Sequence, residues 1–159
     1  FGVHLKVCSG HMSAQDLQAI GAEKVKLEEI FRCRVVSLHG AGGSQCRIGK
    51  EFINQMRDFS VLINTARGDL LDEEALAEVL ASRPRLRAVL DVFAEEPLPP
   101  DSPLRQLRNV YLMPHMAGPT VDRRPLVTMG LIRDIKALQR GEAAELEIKA
   151  ERAKFMSRT

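Results

Sequence analysis

The sequence predicts an α/β fold: a parallel sheet covered on both faces by helices. Three observations predict it. Short runs dominated by Val, Ile and Leu recur at Val35–His39, Val61–Asn64, Ala88–Leu90 and Val110–Met113, with the near-continuous apolar content of strands buried on both faces. Segments with apolar residues at helical spacing stand between them, as in β-α-β repeats. Each run also stops at a Gly, Asn, Asp or Pro, which end strands and open loops.

Taken in order, Val3–Val7 is the first strand, stopped by Cys8-Ser9-Gly10. A helix is expected from Ser13 to Ile20, with Ser13 as N-cap and Asp16 in its first turn. Lys24–Lys26 reads as a minimal strand and Leu27–Phe31 as one helical segment. The strand Val35–His39 runs into the glycine-rich turn Gly40–Gly43, and a short helix is expected near Gly49–Met56. After Val61–Asn64 and the turn Thr65-Ala66-Arg67-Gly68, Asp72 caps a helix. Leu71 and Leu76 form its hydrophobic staple, and Leu76, Val79 and Leu80 its core face. The strand Arg87–Asp91 leads into a loop, Phe93–Pro103, whose prolines forbid a helix. The strand at Val110 is cut off by Pro114, and a long helix is expected over Asp122–Gln139. It carries Val127, Leu131, Ile135 and Leu138 on one stripe and stops at Gly141. Residues 142–159 form a charged tail or a short terminal helix.

Composition narrows the function classes. The chain has 159 residues, 45% of them hydrophobic and 28% charged, ordinary for a globular domain with a real core. A net charge of +2, with short basic clusters that lack interleaved aromatics, gives no reason to invoke nucleic acid. No apolar run approaches the roughly 18 residues of a membrane span, and the first residues carry no secretion pattern. Cys8, Cys33 and Cys46 are odd in number and lack C-x-x-C spacing, which points to reduced thiols in a cytoplasmic protein, without a disulfide frame or metal site.

The chemistry-bearing residues fall at strand ends. In open α/β sheets ligands bind outside the carboxyl ends of the strands. Arg67 follows the Val61 strand, Asp91 and Glu96 follow the Ala88 strand, and His115 follows the Val110 strand. A solvated arginine, a turn aspartate or a locally bonded histidine would be unremarkable alone; convergence on one edge makes them candidates.

Three segments, NTARGDLLDEEALAEVL (Asn64–Leu80), LDVFAEEPLPPDSPL (Leu90–Leu104) and NVYLMPHMAGPT (Asn109–Thr120), closely resemble, in order and spacing, the NAD-binding domain of the D-isomer-specific 2-hydroxyacid dehydrogenases. The resemblance is firm from Val35 to Arg124 and implies a Rossmann-type doubly wound sheet over residues 1–141. It implies hydride transfer between NAD, or NADP, and a small 2-oxo or 2-hydroxy acid. Arg67 would bind the substrate carboxylate and polarise its oxo group, which a planar, permanently charged fork suits. His115 would be the general acid and base, with Glu96 orienting its ring and favouring its protonated form. The cofactor would lie against His39, Thr65, Ala66 and Arg67, with Asp91 at its carboxamide and the His115–Gly118 turn closing over the nicotinamide ring. Family members are typically dimers, so a homodimer is expected.

The sequence departs from the pattern in three places. One is the turn after His39, which is glycine-rich and shorter than the family's proline-containing loop, with Cys46 near an expected threonine. The G-x-G-x-x-G fingerprint is absent, and Gly40-Ala41-Gly42-Gly43 follows the wrong strand to replace it. The expectation is an incomplete domain: the first β-α-β unit and the substrate domain lie upstream of Phe1, and the isolated chain is inactive. Ser9 stands where an acid usually meets the ribose hydroxyls, which leaves NAD and NADP both open. A non-catalytic nucleotide-sensing module of the same fold is the competing class; the joint presence of Arg67, Glu96 and His115 argues against it.

Overall fold

The computed structural model describes residues 2–40 and 47–150. Its strands are β1 (Leu5–Val7), β2 (Ala22–Lys24), β3 (Val35–Leu38), β4 (Val61–Asn64), β5 (Arg87–Leu90) and β6 (Val110–Leu112). Its helices are α1 (Ala14–Ala19), α2 (Leu27–Ile30), α3 (Lys50–Ile53), α4 (Glu73–Ser82) and α5 (Arg124–Gln139). All strand pairs are parallel, as the β-α-β pattern requires.

The strands form two sheets where the sequence suggested one. β3-β4-β5-β6 make a four-stranded sheet, while β1 pairs with β2 alone. A doubly wound sheet runs in the order 3-2-1-4-5-6. The β1-β2 pair matches the outer positions 2 and 3 and the larger sheet begins at position 4, so the innermost strand is not among the described residues. β1 and β3 therefore each keep one backbone edge unpaired there. The second strand also lies earlier than expected, at Ala22–Lys24, because its register is set by Leu5 opposite Ala22.

The helix signals act as the sequence predicts. Ser13 and Asp16 form a reciprocal capping box, and Asp72 accepts the Ala75 amide at 3.1 Å. Leu71 and Leu76 of the staple are both buried. α4 lays Leu76, Ala77, Val79 and Leu80 on a core shared with Val36 of β3, Leu62 of β4, and Ala88 and Leu90 of β5. Leu98 and Leu104 of the proline-rich stretch enter the same core, so that loop is fixed by packing; a short 3-10 turn follows at Pro103–Gln106. At the far end of α4, the Asn109 side-chain amide donates to the carbonyls of Leu80, Arg83 and Leu86, tying the helix terminus to the start of β6.

Two helical expectations are revised. α5 starts at Arg124 and not at Asp122, with a proline in its first turn, and stops before Gly141 at φ 75°. Its stripe is exposed: Val127, Leu131, Ile135 and Leu138 are each more than half accessible among the described residues. Residues 142–149 form no helix and Ala150 is helical; residues 151–159, Ala41–Gly43 of the glycine-rich turn, and Cys46 lie outside the described residues. Among the described residues no helix is long and apolar enough to cross a membrane.

Candidate active site

The carboxyl ends of β3 to β6 lie side by side by register, Leu38 beside Asn64, Asn64 beside Leu90, and Leu90 beside Leu112. The residues that follow each strand therefore share one edge. His39 follows β3, the Thr65–Arg67 turn follows β4, Asp91 follows β5 and His115 is the third residue after β6.

The turn carrying Arg67 is built by Asn64. This residue is fully buried; its side chain accepts the Ala66 amide at 3.1 Å and donates to the Arg67 carbonyl at 2.8 Å. Both bonds close the turn locally, the ordinary use of an asparagine at a strand end. The exposed guanidinium of Arg67 donates through Nη1 to the Ala66 carbonyl at 2.7 Å, and no carboxylate among the described residues pairs with it. Its remaining N–H groups are available for an external anion.

The next residue explains how this turn meets the following loop. A Cβ on Gly68 would sit 2.0 Å from the Phe93 carbonyl carbon and 2.4 Å from the Ala94 nitrogen. Only glycine permits that approach, so the Phe93–Ala94 peptide packs directly against the Arg67–Gly68 backbone.

The same loop presents Glu96. Its Oε1 accepts the Phe93 amide at 3.0 Å, and its Oε2 meets Nδ1 of His115 at 2.6 Å. The hydrogen bond to His115, reinforced by the Phe93 amide, holds the Glu96 carboxyl below its ordinary range. An ionised Glu96 accepts Nδ1–H, which leaves Nε2 as the histidine atom free to exchange a proton.

His115 has φ 53°, a left-handed conformation that a residue other than glycine adopts at a cost of order 1 kcal/mol or more. Asp91 holds it there. Nearly fully buried, it accepts the Met116 amide on one oxygen and the Ala117 amide on the other, both at 2.8 Å. Each carboxylate oxygen keeps a further lone pair.

The remaining candidates are less engaged. His39 Nε2 lies 2.9 Å from the Ser37 hydroxyl, and Thr65 and Gly118 are exposed. A pyrophosphate cradle is not found among the described residues: a Cβ on Gly40 would meet Leu70 at 3.1 Å, so this glycine serves side-chain packing. Sequence reasoning did not single out Asn64 and Gly68 as site-building residues. A polar residue closing a buried strand signals the first; the second shows no signal until the partner peptide is in place.

A family model described as D-isomer specific 2-hydroxyacid dehydrogenase, NAD binding domain, matches residues 1–117. The chain belongs to this family. Within it, the glyoxylate reductase of Korarchaeum cryptofilum is 36% identical over 126 residues, covering 77% of this chain and 38% of that protein. The D-3-phosphoglycerate dehydrogenase of Methanocaldococcus jannaschii is 34% identical over 91% of this chain and 28% of its own length. Among solved structures, a phosphoglycerate oxidoreductase from Rhizobium etli superposes with a TM-score of 0.80 at 26% identity, over 94% of this chain and 46% of that one. The chain thus spans less than half the length of these family members, and within that span it is their Rossmann-like NAD-binding domain.

Proposed function

We propose that the protein carrying this chain transfers hydride between NAD, or NADP, and a small 2-oxo or 2-hydroxy acid, with this chain supplying the catalytic residues. The observation that carries the reading is the 2.6 Å contact between Glu96 and His115 Nδ1. A carboxylate that fixes one ring nitrogen leaves the other as a single, oriented proton donor and acceptor. Bound along the strand-end edge, the cofactor supplies or receives the hydride.

His115 gives a proton from Nε2 to the substrate oxygen in reduction and takes it back in oxidation. Glu96 keeps the ring in one tautomer. Arg67, free of any carboxylate partner among the described residues, receives the substrate carboxylate on two parallel N–H groups and draws electron density from the adjacent oxo group. The nicotinamide end rests against His39, Thr65, Ala66, Arg67, the spare lone pairs of Asp91, and the turn from His115 to Gly118. The substrate's remaining groups are read by parts of the protein outside this chain.

A chimera tests the proposal. The aligned part of this chain would replace the matching 126-residue stretch of the Korarchaeum relative, which keeps the rest of its own sequence. The expected result is NADH oxidation with glyoxylate that falls by a factor of about 10² or more in His115→Ala. A folded chimera that binds NADH but does not turn over would favour a nucleotide-sensing module instead.

We also propose a homodimer and a cytoplasmic setting. The exposed stripe of α5 supports burial against another protein surface, and the free thiols of Cys8 and Cys33 suit a reducing compartment. Sedimentation of the chain and of Leu131→Glu tests the dimer; a monomer at all concentrations would assign the stripe to another part of a longer protein.

A further inference from the structure

Two consecutive amides of the loop after β5 are held by carboxylates from different elements. The Phe93 amide goes to Glu96 at 3.0 Å and the Ala94 amide to Oε1 of Glu73 at 2.6 Å. Gly68, adjacent to Arg67, packs against the peptide between them. We propose that Glu73 is a positioning residue for the Glu96–His115 pair: by holding the Ala94 amide it fixes the loop on which Glu96 grips both the Phe93 amide and Nδ1 of His115. The inference rests on the catalytic reading of that pair.

Glu73 is well placed to act as a fixed point. It is the first residue of α4, and that helix is locked by the buried Leu76, Ala77, Val79 and Leu80. An acid at a helix start is favourable on its own, through the aligned peptide dipoles, but that role asks for no distant partner. Glu73 is instead half-buried and reaches an amide 21 residues away in sequence. Burial pushes its carboxyl up, with Glu96 adding repulsion; the Ala94 amide and Arg47 oppose this. Glu96 is in turn repelled by Asp91 and attracted by His115. Glu73 thus keeps a position that costs it solvation and brings it near a like charge, and its hydrogen bond to the Ala94 amide offsets that cost.

The geometry separates positioning from simple electrostatics. Removing the Glu73 charge takes a negative group away from Glu96, which by itself pushes the Glu96 carboxyl further down. Losing the hold on the loop weakens the bonds that depress it, which lets the carboxyl rise. Glutamine keeps an acceptor oxygen at the same reach, whereas alanine has none and aspartate is one methylene short.

The experiment is NMR on the isotopically labelled 159-residue chain. It reads Glu96 side-chain titration and Ala94 amide exchange in the wild type, Glu73→Ala, Glu73→Asp and Glu73→Gln. In the Ala and Asp variants the Glu96 midpoint is expected to rise and Ala94 exchange to accelerate on the order of tenfold or more, the loss of one charge-assisted hydrogen bond. Glu73→Gln is expected to keep the low Glu96 midpoint and a protected Ala94 amide. Glu73→Asp keeps the charge at the start of α4, so the comparison survives if the alanine variant does not fold. A Glu96 midpoint that stays or falls in the Ala or Asp variants, or rises equally in all three, overturns the proposal. No turnover is read, so a failure here leaves the chimera result standing, and the reverse also holds.

Discussion

Replacing Gly68 by alanine tests whether the Arg67 turn and the Glu96 loop are one packed unit. The added Cβ would lie 2.0 Å from the Phe93 carbonyl carbon, 2.1 Å from its oxygen and 2.4 Å from the Ala94 nitrogen. All three are backbone atoms, so no rotamer change relieves the clash. The peptide must retreat by more than an ångström to reach ordinary contact at about 3.4 Å. Overpacking of this kind costs about 1–3 kcal/mol. For a chain of this size each kcal/mol lowers the midpoint of thermal unfolding by about 2–4 °C, so a fall of roughly 2–12 °C is expected. The amides of Phe93 and Ala94 move with the peptide, so their NMR shifts and that of the His115 ring change too. Circular dichroism melting and an amide spectrum read both effects. Gly10→Ala is the control, since a Cβ there meets nothing within 4 Å. If Gly68→Ala melts with the Gly10 control and leaves the Phe93 and Ala94 signals in place, the reasoning is refuted.

Asn64→Ala removes both bonds that close the Arg67 turn and is expected to cost about 1–3 kcal/mol in urea unfolding, with broadened Thr65–Arg67 amide signals; an unchanged midpoint would show that water replaces the side chain without loss. The Glu96 carboxyl is held below its ordinary value of 4.5 by His115 and the Phe93 amide, so its stabilising contribution is in place above that value and is lost as pH falls through the lower folded value. His115→Ala should return the Glu96 titration toward 4.5 and shrink this acid loss, which carboxyl-carbon NMR and acid unfolding would measure.

The legible part of this protein is the part encoded locally. β3 to β5 announce themselves by apolar runs, and Ser13, Asp16 and Asp72 by caps whose partners lie within three residues. The placement of Arg67, Glu96 and His115 after neighbouring strands was legible in the order of the apolar runs, and the close Glu96–His115 contact follows from adjacent strand ends. The residues that hold this pair were not. Glu73 reads as an ordinary helix-start acid and Gly68 as an ordinary turn glycine, because their partners are backbone atoms about two dozen residues away. Periodicity located the stripe on α5 but carries no information about what covers it. The split of the sheet was hidden for a related reason: a strand's sequence reports its burial, not which neighbour sits on each edge.

That split bears on how the chain behaves in solution. Among the described residues β3 offers a row of backbone donors and acceptors on one side, beside a Val35 that is 60% exposed. An open, apolar strand edge is a template for any extended peptide, including another molecule of the same chain. Concentrated alone, the chain is therefore prone to edge-to-edge association, and a short peptide designed to lie parallel to β3 would act on it as a solubilising cap.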